Sequence, residues 1–196
     1  MAIQNPCKAF ISYSHDNAQH KLNVLELSNR LRTDGVDSMI DRYIDIPSQG
    51  WPRWMRKQIK DADAIIIVCS QNYCTRFYGE EKTGKGLGAN WEGLIISEYF
   101  YESSTDLNQK LIIPVLFEEE DLNNIPIELK GFTYVRLPSG YEQLYRILTH
   151  QPEINVPPLG KVKKLNTAQE LSQSEWKLNQ LSISSSGATE IISDKE

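Results

Sequence analysis

The sequence of 196 residues has only three cysteines, Cys7, Cys69 and Cys74. They are odd in number and show no C-x-x-C spacing. A disulfide framework and a four-cysteine zinc site are therefore unsupported, and a reducing cytosol is the simplest home. Long apolar runs are also missing: nothing approaches the roughly 20 apolar residues of a membrane helix. The start, Met1-Ala2-Ile3-Gln4-Asn5-Pro6, has neither the basic nor the apolar region of a secretory signal. Positive charge is scarce, with 21 Lys and Arg against 26 Asp and Glu, a formal net charge of -5 and a pI near 5.3. That balance argues against a general binder of nucleic acid or anionic membranes, although a local basic patch survives the averaging. His15, His20 and His150 lack the spacing of a metal cluster, and the cysteines near the glycine loop have no sequence-adjacent base. Neither a metal site nor a Cys/His nucleophile is expected. The expectation is a soluble, cytoplasmic protein with no nucleic-acid or membrane partner.

What is present is a hydrophobic content of 40%, enough to bury a core in a chain of this length. Lys8 to Tyr13 is a β-rich run that ends in the capping cluster Ser14-His15-Asp16-Asn17. From about Gln19 to Asp34, Val24, Leu27 and Leu31 recur at helical spacing, and Gly35 supplies the stop. Asp37 to Asp41 reads as a second strand and Arg42 to Gly50 as a long loop. Trp51 to Ile59 reads as a helix, with proline tolerated in its first turn and Trp51, Met55 and Ile59 sharing a face. Ala64 to Cys69 is continuously apolar, as in a strand of a parallel sheet covered on both faces. Leu111 to Phe117 is similar, and its Pro114 implies an edge or a bulge. Thr133 to Leu137 is a shorter strand and Tyr141 to Leu148 a closing helix. Right-handed crossovers then imply a doubly wound parallel sheet of five strands. The domain should close near Gly160, leaving Lys161 to Glu196 as a polar tail with one possible helix, Thr167 to Leu181, or as a disordered linker.

Between the third and fourth strands lies the segment with most chemistry, Gly84-Lys85-Gly86-Leu87-Gly88-Ala89-Asn90-Trp91-Glu92-Gly93. Gly79 to Lys85 spells G-x-x-x-x-G-K, but Gly86 stands where a phosphate-binding loop needs a Ser or Thr hydroxyl for Mg²⁺. A nucleotide-binding switch is weakened accordingly. If a helix begins near Trp91, then at about 100° per residue Ile95, Ile96, Tyr99 and Phe100 span a sector of about 140°, with Glu92 near its middle and Glu98 outside it. An inward carboxylate in a helix's first turn stays ionised against the dipole's positive end. It serves equally as a simple helix-stabilising charge.

Four separated motifs carry a resemblance: Lys8 to Asp16, Asp41-Arg42-Tyr43 through Trp51 to Met55, Val68 to Tyr73, and the glycine loop into Trp91-Glu92-Gly93. Over about residues 7 to 159 the chain resembles the SEFIR branch of the TIR superfamily, of bacterial type. The resemblance implies a flavodoxin-like α/β fold for the domain, residues 7–160; it does not cover the tail, 161–196, which on its polarity alone is a place to expect a link to a sensor domain or partner protein. It implies homotypic self-association in signalling and, in many bacterial members, cleavage of NAD⁺ at the nicotinamide ribosyl bond in antiphage defence. NAD⁺ would be substrate, with no cofactor.

Carried over by position, Glu92 is the catalytic glutamate and Glu98 the fallback, because Trp91 and Glu92 are adjacent where many relatives have Trp-x-x-x-Glu. Phe10, Ser12, Tyr13 and Ser14 would floor the substrate site. Arg42 would meet the pyrophosphate and Tyr43 stack on a ring, or the pair would be a solvated arginine and a packing tyrosine. Trp51 belongs to the core or the site, and Trp91 caps the pocket or packs beneath the helix. The rival to the enzyme is a non-catalytic interaction domain.

Overall fold

The computed structural model describes residues 6–79 and 110–165. The chain divides into two units, Met1–Ile154 and Asn155–Glu196. In the second, residues 155–165 carry no helix or strand. The expected tail helix, like the stretch from Gly84 to Glu98, lies outside the described residues.

The first unit is built on β1 (Lys8–Ser12), α1 (Ala18–Thr33), β2 (Asp37–Met39), α2 (Trp51–Asp61), β3 (Ala64–Val68), α3 (Gln71–Phe77), β4 (Leu111–Phe117), β5 (Val135–Leu137) and α4 (Tyr141–Thr149). The five strands form one sheet in the order β2-β1-β3-β4-β5, with every pair parallel. This is the flavodoxin-like doubly wound arrangement, with the order reversing between β1 and β3.

Strand alternation sends the sheet's side chains into two cores. Ile11, Ile66, Val68 and Val115 meet Val24, Leu27 and Leu31 of α1 and Leu144 and Leu148 of α4. Phe10, Ile65, Ile67 and Leu116 face Trp54, Met55 and Ile59 of α2 and Tyr73 and Phe77 of α3. All five residues of β3 are buried, which is why its sequence is unbroken Ala-Ile-Ile-Ile-Val rather than alternating.

Two expectations change. β4 is an interior strand between β3 and β5, so Pro114 is not on an edge. Leu111 N bonds to Asp63 O on the β3 side, and Val115 O accepts from Cys69 N on that same side. By the two-residue period of a strand, Pro114 turns its nitrogen toward β5, whose pairing begins only at Val115. The missing N–H therefore removes no ladder bond. The inward face of α2 is Trp54, Met55 and Ile59, whereas Trp51 is 38% exposed and touches Trp54 edge-on at 5.7 Å. Its helix starts at the sheet's carboxyl end, so the first turn overhangs the core.

Asn17 caps α1, accepting from His20 N at 2.8 Å, and Gly35 ends it with φ 91°. At the start of α4 the constraint is contact. A Cβ on Gly140 would lie 2.7 Å from Arg136 O and 2.8 Å from Val135 Cγ1, and Gly140 N already donates to that same carbonyl. Gly140→Ala should therefore lower unfolding free energy by about 1–3 kcal/mol. Chemical denaturation of Gly140→Ala beside a Ser139→Ala control checks this; equal midpoints would contradict it.

Candidate functional site at the switch point

Open α/β sheets bind ligands outside the carboxyl ends of their strands, where the strand order reverses. Here that point lies between the loops after β1 and β3. Ser14 Oγ stands 3.0 Å from Ser70 Oγ and also donates to the Asp16 carboxylate, and all of Ser12, Ser14 and Ser70 are buried. Ser12 Oγ is 3.2 Å from the hydroxyl of Tyr73, which α3 carries beneath the crevice. Ser70 caps α3 through Tyr73 N at 3.1 Å. The end of β1 and its loop are thus fastened across the β1–β3 seam, Ser14 to Ser70 of the loop after β3 and Ser12 to Tyr73 of α3.

The neighbouring wall comes from the end of β2. Asp41 Oδ1 accepts from the Tyr13 hydroxyl at 2.7 Å, and Asp41 Oδ2 lies 2.7 Å from His15 Nε2. Burial alone would raise the Asp41 pKa. The hydrogen bonds from His15 and Tyr13, with the charge of His15, outweigh it and hold the carboxyl below its usual 3.8. Asp41 therefore stays ionised at neutral pH.

Behind Tyr13 lies His20, 6% exposed, its Nε2 buried without a hydrogen-bond partner. Its ring is 6.3 Å from that of Tyr13 and meets Phe117 edge-on at 5.6 Å. Burial lowers its pKa below 6.5 against the opposing pull of Asp16 and Glu120, and His15 lowers it further. Glu120 is held by Asn124 Nδ2 at 2.6 Å, while Arg136 Nη1 ties down the carbonyls of Glu118 and Glu120 at 3.1 and 2.9 Å.

These shifts set an acid response. A depressed His20 pKa contributes stability that is full above pH 6.5 and is lost as pH falls from there toward its folded value. Asp41 contributes stability above pH 3.8 that is lost as pH falls through its own depressed value. The His20 contribution to the melting temperature should therefore be lost between pH 7 and pH 5, so that wild type loses more, or gains less, than His20→Phe over that interval. A slope unchanged by the substitution would remove His20 as its source.

Of the residues singled out from sequence, Ser12, Tyr13 and Ser14 come together at this crevice. Phe10 is 3% exposed and packs edge-on against Trp54 at 5.9 Å, inside the α2-side core. Arg42 Nη1 donates to Lys21 O of α1 at 3.0 Å. The Tyr43 hydroxyl bonds with Ser28 Oγ at 2.9 Å and Asn29 Oδ1 at 2.7 Å. Both side chains are committed to α1. Trp91, Glu92 and Glu98 lie outside the described residues. Cys69 is buried in the α2-side core with its thiol pushed up to about 12 by burial, so it is a packing residue. His15, Asp41, Ser70, Tyr73 and His20 are not among the site residues read from sequence; the register of the sheet brings together the loops that carry His15, Asp41 and Ser70, and the packing of α1 and α3 on the sheet adds His20 and Tyr73.

A flavodoxin-like domain with a hydrogen-bonded, acid-bearing cluster at its switch point is therefore the class that the structure defines. The family model of the SEFIR domain matches residues 7–148, more than half of the chain, and the chain belongs to that family. A crystal structure of a prokaryotic SEFIR domain is similar, with a TM-score of 0.56 and 28% identity, covering 78% of this chain and 98% of that one. Interleukin-17 receptor D of Gallus gallus is 26% identical over an alignment of 164 residues that covers 76% of this chain and 22% of the receptor. The chain thus spans about a fifth of that curated relative's length.

Proposed function

We propose that this SEFIR domain self-associates in signalling and, once assembled, cleaves NAD⁺ at the switch-point crevice. The observation that supports catalysis is the hydrogen-bonded cluster at the switch point. It is fixed by the Ser14–Ser70 and Ser12–Tyr73 contacts, it carries the ionised Asp41, and in sequence β3 leads on to Trp91-Glu92. In the proposed step the bond from ribose C1′ to the nicotinamide nitrogen breaks, and its electron pair leaves with neutral nicotinamide. The oxocarbenium-like carbon takes a water oxygen, which loses a proton, giving ADP-ribose; capture by the adenine ring instead gives a cyclic product. Glu92 would hold the ribose hydroxyls and stabilise the developing positive charge. Ser12, Tyr13 and Ser14 would line the floor, with Trp51 at the rim; Arg42 must leave Lys21 O before it can meet a pyrophosphate.

A second reading, association without catalysis, is favoured by a different observation. The segment between β2 and α2 presents Ile46 at 86% exposure, followed by the partly exposed Trp51. An apolar side chain displayed there suits contact with another copy, and the receptor similarity points the same way. NAD⁺ consumption by the full chain, measured dilute and under enforced clustering, separates the two. Turnover that appears on clustering supports the enzyme, and none under clustering leaves the association domain.

A further inference from the structure

A cavity lies between α1 and the carboxyl ends of β4 and β5. Its volume is about 270 Å³. Leu27, Phe117, Leu137 and Pro138 give it apolar walls, and Tyr141 of α4 closes one side. Three polar side chains of α1, Asn23, Glu26 and Arg30, stand along its length. The Arg30 guanidinium carbon sits 3.5 Å from the centroid of the Tyr141 ring, while the Tyr141 hydroxyl is anchored on Asp34 at 2.6 Å. The contact holds the guanidinium over the ring face and leaves its N–H groups available. Among the described residues neither the Arg30 nor the Glu26 side chain has a hydrogen bond or ion pair, and Asn23 uses only its carbonyl, toward Gln19.

These groups have an order. A guanidinium held there with unused N–H groups matches an oxyanion in a two-pronged contact. An unused carboxylate accepts from hydroxyls, and a free amide N–H₂ donates to a ring nitrogen or carbonyl. At 1.5 Å rise per residue, Asn23 and Arg30 are about 10 Å apart along the helix with Glu26 between them, comparable to the run from base through sugar to phosphate. The volume falls just below the roughly 300–1,000 Å³ of ordinary ligand sites, too small for a dinucleotide.

We propose that this cavity binds a nucleoside monophosphate, its base against Phe117 and beside Asn23, its sugar hydroxyls on Glu26 and its phosphate on Arg30. Phe117 also contacts the His20 ring, so occupancy is reported at that imidazole as well. The site is independent of NAD⁺ cleavage and stands whether or not the crevice is catalytic.

Titration of the full chain with AMP, followed by ¹H–¹⁵N and imidazole NMR shifts, tests it without any turnover measurement. Saturable shifts at Asn23, Arg30, Leu137 and His20 are expected, with adenosine and inorganic phosphate each about tenfold weaker than AMP. Arg30→Ala should weaken AMP about tenfold or more, and Arg30→Lys should restore only part, because the ammonium neither forks nor stacks in the same way. Absence of saturable shifts into the millimolar range overturns the proposal. So does inorganic phosphate binding as tightly as AMP, which would mark a simple anion patch, or AMP affinity unchanged in Arg30→Ala.

Discussion

Glu92→Gln is expected to lower NAD⁺ turnover by the clustered chain about 10²- to 10³-fold, the usual scale for losing one well-placed electrostatic stabiliser of a charged transition state. The substitution keeps size and hydrogen-bonding atoms but removes the charge. Binding of the uncharged ribose hydroxyls should therefore survive better than stabilisation of the oxocarbenium carbon, and kcat should fall more than KM rises. Against this stands the lesser role of a first-turn glutamate, a helix-dipole contribution of a few tenths of a kcal/mol that would leave turnover intact. Glu98→Gln is the internal control, since helical spacing places it outside the apolar sector, and it should change turnover only a few-fold. A large loss confined to Glu98→Gln would transfer the role to Glu98. Equal, small effects from both would leave no glutamate mechanism at either position.

The fold was legible because its signals are local and strong. An unbroken apolar β3, a helix stop at Gly35 and the alternation of strand and helix patterns define a parallel doubly wound sheet before any contact is known. The short helix α3 was missed: Gln71 to Phe77 follows β3 directly and has only its capping Ser70 to announce it. Pro114 misled because a proline's tolerance depends on which neighbour its nitrogen faces, a property of register rather than of sequence. The crevice was only half legible for the same reason. Phe10 pairs with Met39 and Ser12 with Ile67, so the next steps along the strands bring Tyr13 and His15 beside Asp41 and Ser14 beside Ser70. In sequence these partners are 28, 26 and 56 residues apart, and nothing local ties them together. Arg42 and Tyr43 read equally as nucleotide contacts or as a solvated arginine and a packing tyrosine; α1 supplies a carbonyl and two polar side chains that take up their donors.

Tyr73→Ala should be among the most damaging substitutions in the domain, costing about 3–5 kcal/mol of unfolding free energy. Tyr73 is 0% exposed and among the largest fully buried side chains, so truncation opens a cavity in the α2-side core between α3 and the sheet. Against a typical total of about 5–15 kcal/mol, that loss is a large fraction of what holds a domain folded. Tyr73→Phe separates packing from chemistry: it keeps the ring and removes the hydroxyl 3.2 Å from Ser12 Oγ, at a cost of about 1 kcal/mol. Denaturant midpoints of the two variants give the stability difference, and a Phe variant as unstable as the Ala variant would contradict the packing account. The Phe variant also reaches the function. Its fold should persist while Ser12, on the crevice floor, loses one of its fixed contacts. If the floor positions the ribose, NAD⁺ turnover should then fall by more than the fraction unfolded explains. If the domain only associates, Tyr73→Phe should change assembly no more than its small loss of stability requires.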